Sequence, residues 1–153
     1  MSEQTTKSET VFQLQRVYLK DASIELPNAP EIFLNRNQPK IEIQVDVGGS
    51  RINETIFESA VTVTVTAKIE DKVTFLVECK QAGIFEISGM PEDQIPPILG
   101  VICPNMVYPY LRANLADLIT RTGYPPVHLS DVNFELFYQK RLEAEKQKNN
   151  SSE

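Results

Sequence analysis

The stretch VTVTVTAKI at residues 61–69, followed by Glu70-Asp71 and then KVTFLVECKQAGIFEISG at residues 72–89, decides the fold. Val61, Val63, Val65, Ala67 and Ile69 alternate with Thr62, Thr64, Thr66 and Lys68, with Phe57 placed upstream on the apolar parity. A period of two marks a long half-buried strand, and threonine's branched side chain suits its exposed pleat. Glu70-Asp71 reads as a tight reversal. Beyond it Val73, Phe75, Val77 and Cys79 alternate with Thr74, Leu76, Glu78 and Lys80, and the strand carries on to Gly89. Gly83 marks a bulge or a close backbone approach.

Working outward, Ile41, Ile43, Val45 and Val47 alternate with Lys40, Glu42, Gln44 and Asp46, and Gly48-Gly49 is expected to break that strand. Between Val11 and Leu26 the parity slips. Phe12 and Leu14 share one side, Val17 and Leu19 take the other, and Ala22, Ile24 and Leu26 return to the first. A strand with a mid-course bulge explains the switch and leaves Asp21, Ser23 and Glu25 together on the opposite side. Pro27 and Pro30 punctuate a loop holding Ile32, Phe33 and Leu34. After Gly89 the period changes. Val107, Leu111, Leu115 and Leu118, widened by Met106, Tyr110 and Ile119, have helical spacing, with Asn105 expected as N-cap and Gly123 as the stop. A second helix is expected to begin near Asn133 and carry Phe134, Phe137, Tyr138 and Leu142. Strands first and helices last is the order of an α+β fold. Residues 1–10 and 143–153 read as disordered tails around one domain at 11–142.

Composition narrows the function. With a net charge of -6, the chain lacks the basic field of a nucleic-acid binder. No apolar run approaches the ~18–20 residues that span a membrane, and the start MSEQTTKSET has no apolar signal region, so a cytoplasmic protein is expected. Cys79 and Cys103 are too few for a disulfide framework. The two long strands could each reach ~50 Å, more than two modest helices cover, so an oligomer is expected.

No reactive constellation stands out in the sequence. Cys103 and the single histidine, His128, could form a thiolate–imidazole pair, but a cysteine before a helix and a histidine in YPPVHLS fit packing and loop roles better. Two distant cysteines and one histidine cannot supply a four-ligand zinc site. There is no phosphate-binding G-x-x-x-x-G-K-[S/T], and acidic residues are scattered over strand faces rather than paired. Neither an enzyme, a metal nor a cofactor is expected.

What remains is surface. Leu76 sits on a polar parity, and if Asp21 and Glu25 face the same side it becomes the apolar centre of a flat acidic patch suited to a small basic partner. The 27–34 loop, the Ile41/Ile43/Val45 face and the aromatics of the last helix could line an apolar groove or belong to an ordinary core.

At this point the chain resembles the SecB family of export chaperones. The likeness rests on FQLQRVYLKDASIELPNAP (12–30), FLVECKQAGIFEISG (75–89), LGVICPNMVYPYLR (99–112) and YPPVHLSDVNFELFY (124–138). The resemblance implies a four-stranded antiparallel sheet followed by C-terminal helices, assembled as a dimer-of-dimers homotetramer without enzymatic activity. It implies a holder of unfolded precursor proteins that delivers them to the translocase ATPase SecA, whose C-terminal zinc-binding tail docks on a flat acidic sheet face. The positions here that match that face are Asp21, Glu25, Leu76 and Glu78. The implied client groove uses Ile41, Ile43 and Val45 with Tyr138, and we add Phe33 and Phe137 from their apolar character. The chain departs from the family in having no tryptophan in the loop around 35–39 and in the bulky Leu136-Phe137 pair. A SecB-like chaperone dedicated to one client, such as an antitoxin, would share the fold and groove without docking SecA.

Overall fold

The computed structural model describes residues 9–151; most of the expected tail at 1–10, and residues 152–153 of the expected tail at 143–153, lie outside them. Its centre is the hairpin read first. Strands β3 (Ile56–Ile69) and β4 (Lys72–Ser88) pair antiparallel, with Val63 opposite Cys79, Val65 opposite Val77 and Ala67 opposite Phe75. Glu70 and Asp71 turn the chain with φ of 49° and 69°, the positive values that a two-residue turn matched to strand twist requires. Strand β1 (Val11–Glu25) adds beside β4 and β2 (Lys40–Arg51) beside β3, giving the order β1-β4-β3-β2.

Two bulges, not one, govern β1. The register shifts between Leu14 and Arg16 and again between Leu19 and Asp21. Each extra residue restores the parity that the sequence loses, so Phe12, Leu14, Val17, Leu19, Ala22 and Ile24 all pair with residues of β4's inner face. Strand β2 does not stop at Gly48-Gly49. It continues through them, pairing Gly48 with Ala60 and Gly49 with Ser59. Leu99 packs beside Gly49, where a Cβ would lie 3.5 Å from the leucine, an ordinary contact distance. Gly83 is a close approach rather than a bulge, since a Cβ would sit 3.0–3.2 Å from Phe85, Val107 and Leu14 while the pairing runs through it unbroken.

Helix α1 (Cys103–Thr120) lies on the inner face against β4 and β3. Its entrance differs from the expectation. Turns at Glu92–Gln94 and Ile95–Pro97 and a π-type segment at Ile98–Ile102 feed it without a break, so Asn105 is an exposed residue of the first turn and caps nothing. The Cys103 N–H donates to the Ile98 carbonyl five residues back, and Pro104 next to it has no N–H to give. The buried stripe is Cys103, Pro104, Val107, Tyr108, Leu111, Leu115 and Ile119. Tyr110, expected to widen it, is 50% exposed. Tyr108 takes the inward place, its hydroxyl donating to the Ser130 carbonyl at 2.6 Å and its ring meeting Phe134 edge-on. Gly123, with φ of 88°, ends the helix region as expected.

Helix α2 (Phe134–Ser151) starts under the side chain of Asn133, which accepts from the Leu136 N–H at 3.0 Å. Where a disordered tail was expected from 143, the helix continues to Ser151, exposed on every side. Polar sequence with good helix formers can sustain helix without burying anything.

Candidate docking face and polypeptide groove

The sheet presents two different surfaces. Directly paired residues of neighbouring strands share a face, so the register assigns them. On the outer face one row runs Glu42, Thr66, Leu76, Glu25, and the next runs Gln44, Thr64, Glu78, Ser23. A third runs Asp46, Thr62, Lys80, Asp21. The four expected docking residues, Asp21, Glu25, Leu76 and Glu78, therefore fall on adjacent strands of one face, at the ~4.8 Å spacing of paired strands. Glu78 is fixed by a hydrogen bond from the Thr64 hydroxyl at 3.1 Å. Sequence reading missed Glu42 and Asp46, although their parity in 40–47 was the available signal. It misplaced Thr74, which is the extra residue of a β3–β4 irregularity and is buried, its hydroxyl donating to the Ala67 carbonyl.

Further along the outer face, Lys20 and Tyr18 of β1 reach Glu58 of β3. The ammonium lies 2.8 and 3.0 Å from the two carboxylate oxygens, and the Tyr18 hydroxyl donates to one of them. Hydrogen bonding from Lys20 first, then Tyr18, holds the Glu58 carboxyl below its usual range. Burial, then the hydrogen bond to Glu58, pushes the Tyr18 phenol up to about 12.

The inner face is dry only where α1 covers it. Val61, Val63, Val65, Val77 and Cys79 are fully buried, yet Ile41 and Ile43, on the same face of edge strand β2, are 37% and 46% exposed. Val45 is half-buried and Val47 buried. The strip ends in a hollow on either side. At the Ile41 end a pocket of about 190 Å³ is walled by Gln38, Pro39, Phe75, Tyr124 and Pro125 to Val127. Phe33 stacks on Tyr124 at 5.3 Å and stays half open to solvent. At the Val47 end a pocket of about 330 Å³ lies between Gly48, Gly49, Leu99 and Tyr138. The Tyr138 ring is seated so closely on Gly100 that a Cβ there would come within 2.5 Å of it. Arg141 clasps the strand, its guanidinium donating to the Val47 carbonyl at 2.6 Å. Phe137 packs against the core and lines neither hollow.

The nucleophile reading of Cys103 finds no geometry. The thiol is wholly buried, and burial pushes its pKa up to about 12, away from the reactive thiolate. His128 is exposed, beside Pro109 and Arg112 on the far side of α1. Among the described residues no helix is long and apolar enough to cross a membrane.

Comparison with known proteins agrees with this architecture. A family model described as preprotein translocase subunit SecB matches residues 5–145. The protein-export protein SecB of Janthinobacterium sp. (strain Marseille) is 65% identical over 144 residues, covering 93% of this chain and 88% of that one. That of Bordetella avium (strain 197N) is 57% identical over 141 residues, covering 92% and 82%. A SecB-like chaperone from Mycobacterium tuberculosis, solved in complex with a peptide from an antitoxin, superimposes with a TM-score of 0.66 at 16% identity, covering 79% of this chain and 90% of that one. That last likeness is one of fold. By the extent of the family match and the identity to its members, the chain belongs to the SecB family of protein-export chaperones.

Proposed function

We propose that the protein holds unfolded precursor polypeptides along β2 and, at the same time, docks the translocase ATPase SecA on the opposite face of the same sheet. The observation that carries this reading is the separation of the two surfaces: an exposed aliphatic strip with a hollow at each end on the inner side, and a flat acidic field around Leu76 on the outer side. A client in the groove leaves the outer face free, so capture and delivery need not compete.

Holding works by mass action. A surface that binds unfolded chain and not folded chain draws a client away from its native state without ATP. One short segment covers little area and binds weakly, at ~25 cal/mol per Å². A client spanning several grooves of a homotetramer gains effective concentration, about 10²–10⁴-fold in avidity. The width of apolar surface left open on β1 and β2 fits assembly in a dimer-of-dimers in the cytoplasm. On the outer face, Asp21, Glu25 and Glu78 steer the basic zinc-binding tail of SecA, and Leu76 supplies the buried contact. No nucleic acid, membrane insertion or cofactor enters this scheme. A single-client chaperone for an antitoxin is the other use of this fold, and the high-identity relatives named for protein export favour the export role.

The test is sedimentation with and without a denatured precursor, paired with precursor refolding kinetics. The reading requires a particle of four chains that takes up the unfolded precursor and delays its refolding. A monomer that ignores unfolded chains would end it.

A further inference from the structure

We propose that Glu58 is a positioning residue of the docking face: by drawing Lys20 across the sheet it keeps Asp21 an uncompensated anion. The inference rests on the docking reading above and adds a residue to it. The second bulge of β1 makes Lys20 the extra residue between Leu19 and Asp21, so Lys20 and Asp21 stand side by side opposite Lys80. Left alone, Asp21 would have an ammonium on either hand, and a basic partner would meet a neutralised carboxylate.

Glu58 changes that balance from two strands away. The outer row that starts at Tyr18 continues through Ala82 of β4 and Ala60 of β3, both buried and both small enough to leave Tyr18 and Lys20 a path to Glu58. Lys20 then closes on both Glu58 oxygens, with its side chain 44% exposed and that of Glu58 16%. Tyr18 fixes the carboxylate from the same strand, and Lys80 is attracted towards it as well. Among the described residues the Asp21 carboxylate has no hydrogen-bond or ion-pair partner. A clasp that merely pinned the bulge would need the same contacts, so the test must separate charge from scaffold.

The probe is a zinc-loaded synthetic peptide of the SecA tail, followed by fluorescence anisotropy at low and high salt, with capture of an unfolded precursor as the parallel readout. Glu58→Gln keeps a hydrogen-bond acceptor for Tyr18 and Lys20 but frees the ammonium. It should weaken tail binding about two- to fivefold at low salt, the range of an exposed charge pair. The loss should fade near 0.5 M salt, where screening shortens to about 4 Å. Lys20→Met should bind at least as tightly as the unaltered protein, and Glu58→Gln combined with Lys20→Met should recover most of the loss. Precursor capture should not change in any of them. If Lys20→Met weakens docking as much as Glu58→Gln, or the loss ignores salt, the contacts are scaffold and the inference is wrong. Leu76→Arg serves as the control. If it still binds the peptide, the docking reading fails and takes this inference with it. If it loses the peptide while Glu58→Gln binds normally, only this inference falls.

Discussion

Replacing Ile41 and Ile43 together by alanine should strip the groove of its aliphatic floor without disturbing the fold. Fully burying an isoleucine side chain is worth about 1.5–3 kcal/mol. Ile43 is 46% exposed and Ile41 37% exposed, so a client that covers them gains roughly two-fifths of that from each, or ~0.6–1.3 kcal/mol. Truncation to alanine removes most of this, ~1–2 kcal/mol per groove, or about five- to thirtyfold in the Kd of a single short segment. A long client spanning several grooves would hide part of the effect through avidity, so the assay should use a labelled peptide of one groove's length. Anisotropy titration gives the Kd, and thermal unfolding checks the fold, which should persist with a lowered midpoint because about three-fifths of each side chain is already buried. Unchanged peptide affinity would refute the assignment of client binding to the inner edge of β2. Lost affinity with a collapsed melting temperature would show that these residues are core instead.

Three further outcomes follow from the same structure. Leu76→Arg should abolish binding of the SecA tail while precursor capture persists, measured side by side; equal tail binding would remove the outer face from the account. Gly100→Ala forces a methyl to within 2.5 Å of the Tyr138 ring, so it should cost about 1–3 kcal/mol and speed hydrogen exchange in 134–142; exchange identical to the unaltered protein would mean that α2 is not held at Gly100. Burial pushes the thiols of Cys79 and Cys103 up from 9.0 to about 11 and about 12, so the folded chain holds these protons more tightly than the unfolded one. Stability should therefore be full below about pH 9 and fall as the pH climbs towards those values. Urea midpoints between roughly pH 7.5 and 10.5 should show the fall, with a shallower slope in Cys103→Ala, which should still hold clients; equal slopes would contradict the burial argument.

Alternation in a sequence reports which side of a strand a residue faces, and this made much of the sheet legible. Val63 and Val65, their partners Cys79 and Val77, and the outward Leu76 all follow from parity. Parity cannot say whether anything covers that side. Ile43 and Val65 are paired and share a face, yet one is open and the other sealed, because α1 reaches β3 and stops short of the edge strand. That distinction separates groove from core, and it is made by packing. Local punctuation misled for a related reason. Gly48-Gly49 looks like a strand end and Asn105 like a helix start, but pairing with Ala60 and Ser59 carries the strand on, and the helical segment before Cys103 supplies the partners that a cap would otherwise give. Glu58 was invisible because its partner Lys20 lies 38 residues away and faces it only through a bulge.

Clients and the translocase are to use opposite faces of one sheet. A photoreactive amino acid introduced at position 43, and separately at position 64, reads this directly when the protein is illuminated with an unfolded precursor bound and then with the SecA tail peptide bound. Position 43 should form adducts with the precursor and position 64 with the tail peptide. Precursor adducts concentrated at position 64, with none at position 43, would contradict it.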